Sequence, residues 1–244
     1  SDGLRVRELR RDDWAVIERL FGANGACGGC WCMWWRVERG GKLWEAVKGE
    51  RNRRAFRKLV DGGGAQGVLA FDGDEPIGWC CVGPRAEFPR AEGIKALRGA
   101  WDEGTWSVVC FYIPAKQRGR GVATRLLDAA IELARKQGAH TLEGYPVRAP
   151  RGAKTASIPA VFAWTGVTPM FASAGFERAC PAEAARELWK LEFAAKACTP
   201  RAIRNPATHA LDAKITRATR AAAARGASAS GASKARTRRS GECR

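Results

Sequence analysis

The sequence predicts an α/β (α+β) protein: a mixed sheet with helices on both of its sides. Three observations carry this. Short apolar runs of strand length, Val68–Phe71, Pro76–Val82 and Trp106–Ile113, are bounded by turn residues. Between them lie segments with apolar residues at helical spacing, the clearest being Val122, Leu126, Leu127, Ala130, Ile131 and Ala134. The two kinds of segment then alternate along the chain, which is the pattern of one sheet covered by helices.

Taken in order, Leu4–Leu9 alternates polar and apolar residues and is read as the first strand. Asp12 or Asp13 can cap a helix carrying Trp14, Ile17 and Leu20. Residues 22–32 are rich in glycine and cysteine and are expected to be irregular. Trp44 to Val60 reads as a single second helix, stopped by glycines 62–64. The turn Asp72-Gly73-Asp74-Glu75 joins Val68–Phe71 to Pro76–Val82 as a hairpin. Trp106–Ile113 is nearly continuous in apolar residues, as a central strand covered on both faces should be. Helix Val122–Gln137 ends at Gly138, and a strand His140–Val147 follows. A late turn, Phe171–Glu177, precedes a terminal strand Glu187–Phe193.

The chain of 244 residues has 45% hydrophobic residues, enough for one real core plus an appendage. No apolar run reaches bilayer length, and the first residues lack the apolar stretch of a signal peptide. Nine cysteines, an odd number in a chain with this much core, fit a reducing compartment. A soluble, cytoplasmic protein without membrane contact is expected. The net charge of +17 is uneven: residues 197–244 hold eleven Lys and Arg against only Asp212 and Glu242. That tail has too few large apolar residues to offset its ordering entropy, so it is expected to be mostly disordered, with one helix available from Pro206 to Arg225. It reads either as a solvated extension or as an arm for weak nucleic-acid contact; no aromatic side chains interleave its charges to stack on bases. The expected division is therefore 1–196 as a folded domain and 197–244 as a basic tail.

The most informative local feature is the turn between the strand Trp106–Ile113 and the helix Val122–Gln137. Arg118, Gly119, Arg120, Gly121, Val122, Ala123 and Thr124 bring consecutive backbone N–H groups and two guanidinium groups to a helix start. Unpaired amides and the positive end of the helix dipole make such a turn a site for a phosphate or pyrophosphate. A nucleotide-hydrolase loop is excluded, because no Gly-Lys-Ser/Thr closes the turn and Gly152-Ala153-Lys154-Thr155 has the wrong order. A dinucleotide fingerprint fits Gly119 and Gly121, but Thr124 stands where its third glycine belongs and no second mononucleotide-type unit follows.

The run Arg118-x-x-Gly121-x-Ala123 followed by Leu126-Leu127 resembles the acetyl-CoA signature of the GNAT superfamily of N-acetyltransferases. The strand after the helix, the Phe171-Ala172-Ser173-Ala174-Gly175-Phe176 turn and the terminal strand extend the resemblance over roughly residues 4–194. The chain is also similar to a bacterial branch with a Cys-Trp-Cys-Met-Trp-Trp-Arg run, here Cys30–Arg36, with Gly78-Trp79-Cys80 on a strand and Glu143-Gly144-Tyr145-Pro146 at a strand end. The resemblance implies a mostly antiparallel, twisted sheet of six to seven strands. It implies acetyl-CoA as acyl donor, its pyrophosphate on the amides of residues 118–124. An amine acceptor, small molecule or protein, would attack directly in a ternary complex. A backbone N–H at the opening of the two central strands, here that of Tyr112 or Ile113, would bond the thioester carbonyl. The rivals are a CoA-binding module without catalysis and a nucleic-acid-associated protein acting through its tail.

The family also uses a glutamate as base and a tyrosine in the late helix as acid. That tyrosine is Phe171 here, and Tyr112 and Tyr145 are the two tyrosines of the chain. Glu143 is therefore expected as the base and Tyr145 as acid or substrate contact, both on one face of a strand end; the bland reading is an ion-paired carboxylate and a half-buried ring. Cys27, Cys30 and Cys32, with Cys80 or Cys81, offer a zinc-like thiolate set. Without a second paired cluster, the preferred reading is metal-free: a tight loop whose Trp31, Trp34 and Trp35 line the acceptor pocket or the core wall. Arg85 is expected to meet a substrate carboxylate or phosphate, or to be a solvated turn residue. The long connection 148–169 is read as a lid in which Phe162 and Trp164 close over a ligand, or as disorder.

Overall fold

The computed structural model describes residues 3–38, 42–98, 101–148, 158, 163–180 and 186–193. The basic tail and its Pro206–Arg225 helix, Phe162, and most of the 148–169 connection lie outside the described residues. The strands are β1 (Leu4–Glu8), β2 (Gly67–Asp72), β3 (Glu75–Pro84), β4 (Thr105–Tyr112), β5 (Thr141–Gly144), β6 (Glu177–Arg178) and β7 (Trp189–Glu192). The helices are α1 (Trp14–Phe21), α2 (Lys42–Val47), α3 (Glu50–Asp61), α4 (Val122–Lys136) and α5 (Thr168–Ser173). The strands form one seven-stranded sheet in the order β1-β2-β3-β4-β5-β7-β6. All neighbours are antiparallel except β4 and β5, which run parallel through the crossover helix α4. Among the described residues no helix is long and apolar enough to cross a membrane.

Alternation along the strands builds two cores. Val68 and Ala70 of β2, Cys80 and Val82 of β3, and Trp106 and Val108 of β4 pack with the α4 stripe. Leu69, Phe71, Trp79, Cys81 and Val109 face the other way, against Trp14, Ile17 and Phe21 of α1 and Phe56 and Val60 of α3. Gly78 lets α4 lie close: a Cβ there would meet Val122 and Leu126 at 2.9 and 3.0 Å.

Three expectations are corrected. The single helix from Trp44 to Val60 is two, because Gly49, at φ 75°, turns the chain and donates its N–H to Gly29 O (2.9 Å). Asp13 holds the N-cap position of α1 but caps nothing; its carboxylate takes Arg7 in a two-pronged pair (2.6 and 2.7 Å) and the N–H of Arg10. The strand after α4 stops at Gly144, so Tyr145 and Pro146 lie past its end, and Val147 keeps only isolated bridges to Val167 and Arg186.

Phe171, where the resemblance leads one to expect a tyrosine, is wholly buried in edge contact with Phe111 and Phe176. Its ring lies flush on Gly144, where an added Cβ would come within 2.1 Å of Cε1. Gly144→Ala is expected to destabilise the domain by about 1–3 kcal/mol through overpacking. A urea midpoint unchanged from wild type would show that the ring can move aside.

Candidate active site

The last parallel pair of β4 and β5 is Val108 with Gly144; β4 then continues through Val109, Cys110, Phe111 and Tyr112 without β5 beside it. A bulge sits where they part. Against β3, Cys110 pairs with Cys81 and Val108 with Val82, so Val109 has no opposite residue. As a result Val109 and Cys110 both face the α1–α3 side. Such a bulge bends the strand and re-aims its peptide groups. The carbonyl of Val109 is held by the Trp35 indole N–H at 2.7 Å.

The turn that follows β4 leads into α4. Gly119 and Gly121 are left-handed, with φ of 75° and 76°, and a Cβ at either would meet nothing within 4 Å. The first amide of the turn to bond back into α4 is Arg125 N, to Gly121 O (3.2 Å). The N–H groups of Gly119, Arg120, Gly121, Val122, Ala123 and Thr124 have no acceptor among the described residues. Six consecutive free amides at the N-terminus of a fifteen-residue helix form an anion cradle. Arg118 braces it through Nε to Ile113 O (3.0 Å), and Arg120 pairs with Asp72 (2.8 Å). Tyr112, half-buried, packs edge-on against Phe21. The nine residues expected to hold the cofactor are thus contiguous with the β4–β5 opening.

Glu143 and Tyr145 lie just behind that opening, and both are buried. Glu143 Oε2 accepts from Arg85 Nε (3.1 Å) and from the Tyr145 hydroxyl (2.9 Å); its Oε1 is 3.5 Å from Lys190 Nζ. Since the Tyr145 hydroxyl donates to Glu143, its 2.8 Å contact with Ser107 Oγ makes the serine the donor to it. Burial and the adjacent Glu143 charge push the Tyr145 phenol well above its usual range, so it keeps its proton at neutral pH. Arg85 is not a surface anion receptor: it is 1% exposed and also binds Glu92 Oε1 (2.6 Å) and Phe88 O.

The three tryptophans separate. Trp31 is in the interior, stacked on Trp14 and tilted against Phe21. Trp35 is buried between Tyr145 and Trp164, with ring centroids at 5.2 and 5.8 Å. Trp34 is half-buried beside Trp44 and Trp164, and Arg90 lies over its face at 3.8 Å. The sequence did not single out Trp44, Arg90 or Arg186. Arg186 lies over both Trp35 and Trp164, and no local pattern marks it, because only the Val147 bridge brings it here.

Cys27, Cys30, Cys32 and Cys80 do not converge as a thiolate set; Cys32 instead meets Cys81 and Cys110 in the interior. Cys27 is exposed and Cys30 half-buried, whereas Cys32 points inward, where its sulfur accepts the Trp79 indole N–H (3.2 Å). Cys80 faces the α4 side, opposite to Cys32 and Cys81. Among the described residues no cluster of three or more His, Cys, Asp or Glu is placed to hold a metal. Burial pushes the Cys80 thiol well above its usual range. With the folded value raised, its contribution is full below the unfolded thiol's pKa and is lost as pH rises above it. Cys80→Ala is therefore expected to flatten the alkaline fall of stability by about 1.4 kcal/mol per pH unit above roughly pH 9. Urea titrations in reductant at pH 7.5 and 9.5 read this; equal slopes would show that Cys80 does not carry it.

A sheet with one parallel pair, opened beside a free-amide turn, offers an anion cradle next to an unpaired strand edge. The sequence model of the Acetyltransferase (GNAT) family matches residues 31–149. Residues 31–149 are thus similar in sequence to a GNAT acetyltransferase domain. Similar solved structures include the putative acetyltransferase YncA from Salmonella typhimurium with its cofactor acetyl-CoA (14% identity, 82% of this chain and 100% of that one, TM-score 0.48). Others are an N-acetyltransferase from Staphylococcus aureus Mu50 (15%, 78% and 98%, 0.46) and the PaiA N-acetyltransferase from Thermoplasma acidophilum in complex with coenzyme A (12%, 78% and 99%, 0.44). No curated protein matches the chain in sequence.

Proposed function

We propose that this protein transfers the acetyl group of acetyl-CoA to an amine, by direct attack of the amine on the thioester in a ternary complex. The observation that carries this is the run of six free amides at Gly119–Thr124, opening next to the gap between β4 and β5. The cradle fits a pyrophosphate in charge and in backbone approach. Acetyl-CoA, the donor, would rest its pyrophosphate there and its thioester arm along the unpaired edge of β4, near the peptide groups of Tyr112 and Ile113. The amine nitrogen forms the new C–N bond as the C–S bond breaks, CoA leaves as thiolate, and the ammonium proton passes to solvent. Much of the acceleration would come from holding the two reactants together.

Glu143 and Tyr145 have a positioning role in this scheme. Both oxygens of Glu143 are engaged, and the carboxylate is 2% exposed, so its geometry supports holding Arg85 and Tyr145 rather than meeting a solvent-borne ammonium. Trp34, Trp44 and Trp164 would wall the acceptor side, while Trp31 serves the core. Acetyl-CoA-dependent thiol release with a panel of amines, alongside calorimetric titration of acetyl-CoA, tests the reading. Tight binding and amine-dependent release are expected. Binding without release for any amine would leave a CoA-binding module, and no binding would sink the proposal.

A further inference from the structure

Arg186 stands on the acceptor side among the tryptophans. Its guanidinium is partly buried and bracketed by two indoles, with its carbon 5.7 Å from the Trp35 ring centroid and 5.2 Å from that of Trp164. Among the described residues its hydrogen bonds go only to neutral oxygens, and both leave from Nη1: Thr165 Oγ1 at 2.6 Å and Tyr145 O at 3.4 Å. No carboxylate among the described residues pairs with it. The partly buried Arg7 and the buried Arg36 and Arg85 differ, each holding an acid: Asp13, Glu87, and Glu143 with Glu92. Taking a charge out of water without a counter-charge costs stability, and the lowered pKa of Arg186 reflects burial alone.

The position of Arg186 is as telling as its lack of a carboxylate partner among the described residues. Trp35, on which it lies, holds Val109 O at the bulge where β4 leaves β5. Tyr145, whose carbonyl it touches, is the first residue beyond β5. The cation thus stands one indole away from the gap assigned to the thioester. Its Nε and Nη2 edge has no partner among the described residues, and a planar fork of this kind matches a carboxylate with two parallel bonds.

We infer that the acetyl acceptor is a small amine bearing a carboxylate, of the α-amino acid class, and that Arg186, held between Trp35 and Trp164, binds that carboxylate. The inference rests on the acetyl-transfer reading for the word acceptor, though the carboxylate site stands on its own geometry. A single guanidinium with one free edge suits one negative charge. The flanking indoles exclude water from the pair and keep the fork fixed, which strengthens it.

The test compares the proteinogenic L-amino acids with their C-terminal amides, which retain the amine and lose the charge. In the wild type, thiol release from acetyl-CoA is expected to show kcat/KM about 10–100-fold higher for the preferred amino acid than for its amide, mainly through KM. Arg186→Gln should bring that ratio to near one. Arg186→Lys, which keeps the charge but not the fork, should fall between and guards against a folding defect. Equal use of acid and amide by the wild type, or a preference that survives both substitutions, would overturn the inference while leaving acetyl transfer intact. If no amine is turned over, tryptophan fluorescence titration with the same amino acids and amides, in saturating CoA, decides the matter. Carboxylate-selective binding that Arg186→Gln removes would uphold the site and sink the transfer reading; no selectivity would overturn the site.

Discussion

Gly121→Glu is expected to weaken acetyl-CoA binding by at least about 100-fold, close to 3 kcal/mol. Two costs combine. Gly121 sits at φ 76° and ψ 5° as the N-cap of α4, and any residue with a Cβ is strained there by about 1–2 kcal/mol. The larger cost is electrostatic: a carboxylate set among six free amides competes for the cradle and repels the pyrophosphate. Because an added Cβ meets nothing within 4 Å, the substituted protein should still fold. Gly121→Ala carries the strain without the charge, so a loss of only about 10-fold is expected for it. Calorimetric titration of wild type, Ala and Glu variants separates the two costs. Raising the salt should narrow the gap between Ala and Glu, since exposed charges are screened. If the Glu variant binds as well as the Ala variant, the pyrophosphate does not lie on this turn.

The cradle was legible in the sequence because everything it needs is local. A strand, two glycines and a helix start fall within a dozen residues, and their conformations follow from residue type. The α4 stripe was legible for the same reason, since seven of its fifteen residues are buried at helical spacing. What failed depends on distant partners. The apolar spacing runs unbroken from Trp44 to Val60, and only the bond of Gly49 to Gly29, in another loop, splits it. Asp13 has the right chemistry for a cap, but Arg7 on β1 captures its carboxylate.

The Cys27–Arg36 segment shows the limit most clearly. Ala26, Trp31 and Cys32 adopt positive φ although none is glycine. No propensity rule anticipates that, and it is what sends Trp31 into the α1–α3 core while Trp35 reaches Val109. For the same reason Arg85 and Arg186 look equivalent as sequence. One lies over Glu143 and the other between two indoles, a difference created by the register of β5 and the bridge at Val147.

Arg85→Met is the second large effect and bears on what Glu143 does. Removing the guanidinium leaves a carboxylate that is 2% exposed with, among the described residues, only Lys190 at 3.5 Å and the Tyr145 hydroxyl. An uncompensated buried charge of this kind is expected to cost about 3–5 kcal/mol of stability. Adding Glu143→Leu to Arg85→Met should recover much of that loss, because replacing both partners by apolar groups leaves no charge stranded. Urea unfolding of the four proteins of this cycle measures the coupling; strict additivity would mean that Arg85 and Glu143 do not support each other. The pH profile of Glu143→Gln then separates positioning from base catalysis. A positioning carboxylate leaves the rising limb of kcat/KM at the pKa of the acceptor amine and changes only its height. A general base would take that limb with it. A flattened profile with unchanged stability would return Glu143 to the role of base, and a preserved limb with lowered stability would make it the anchor of the strand end on which the acceptor side is built.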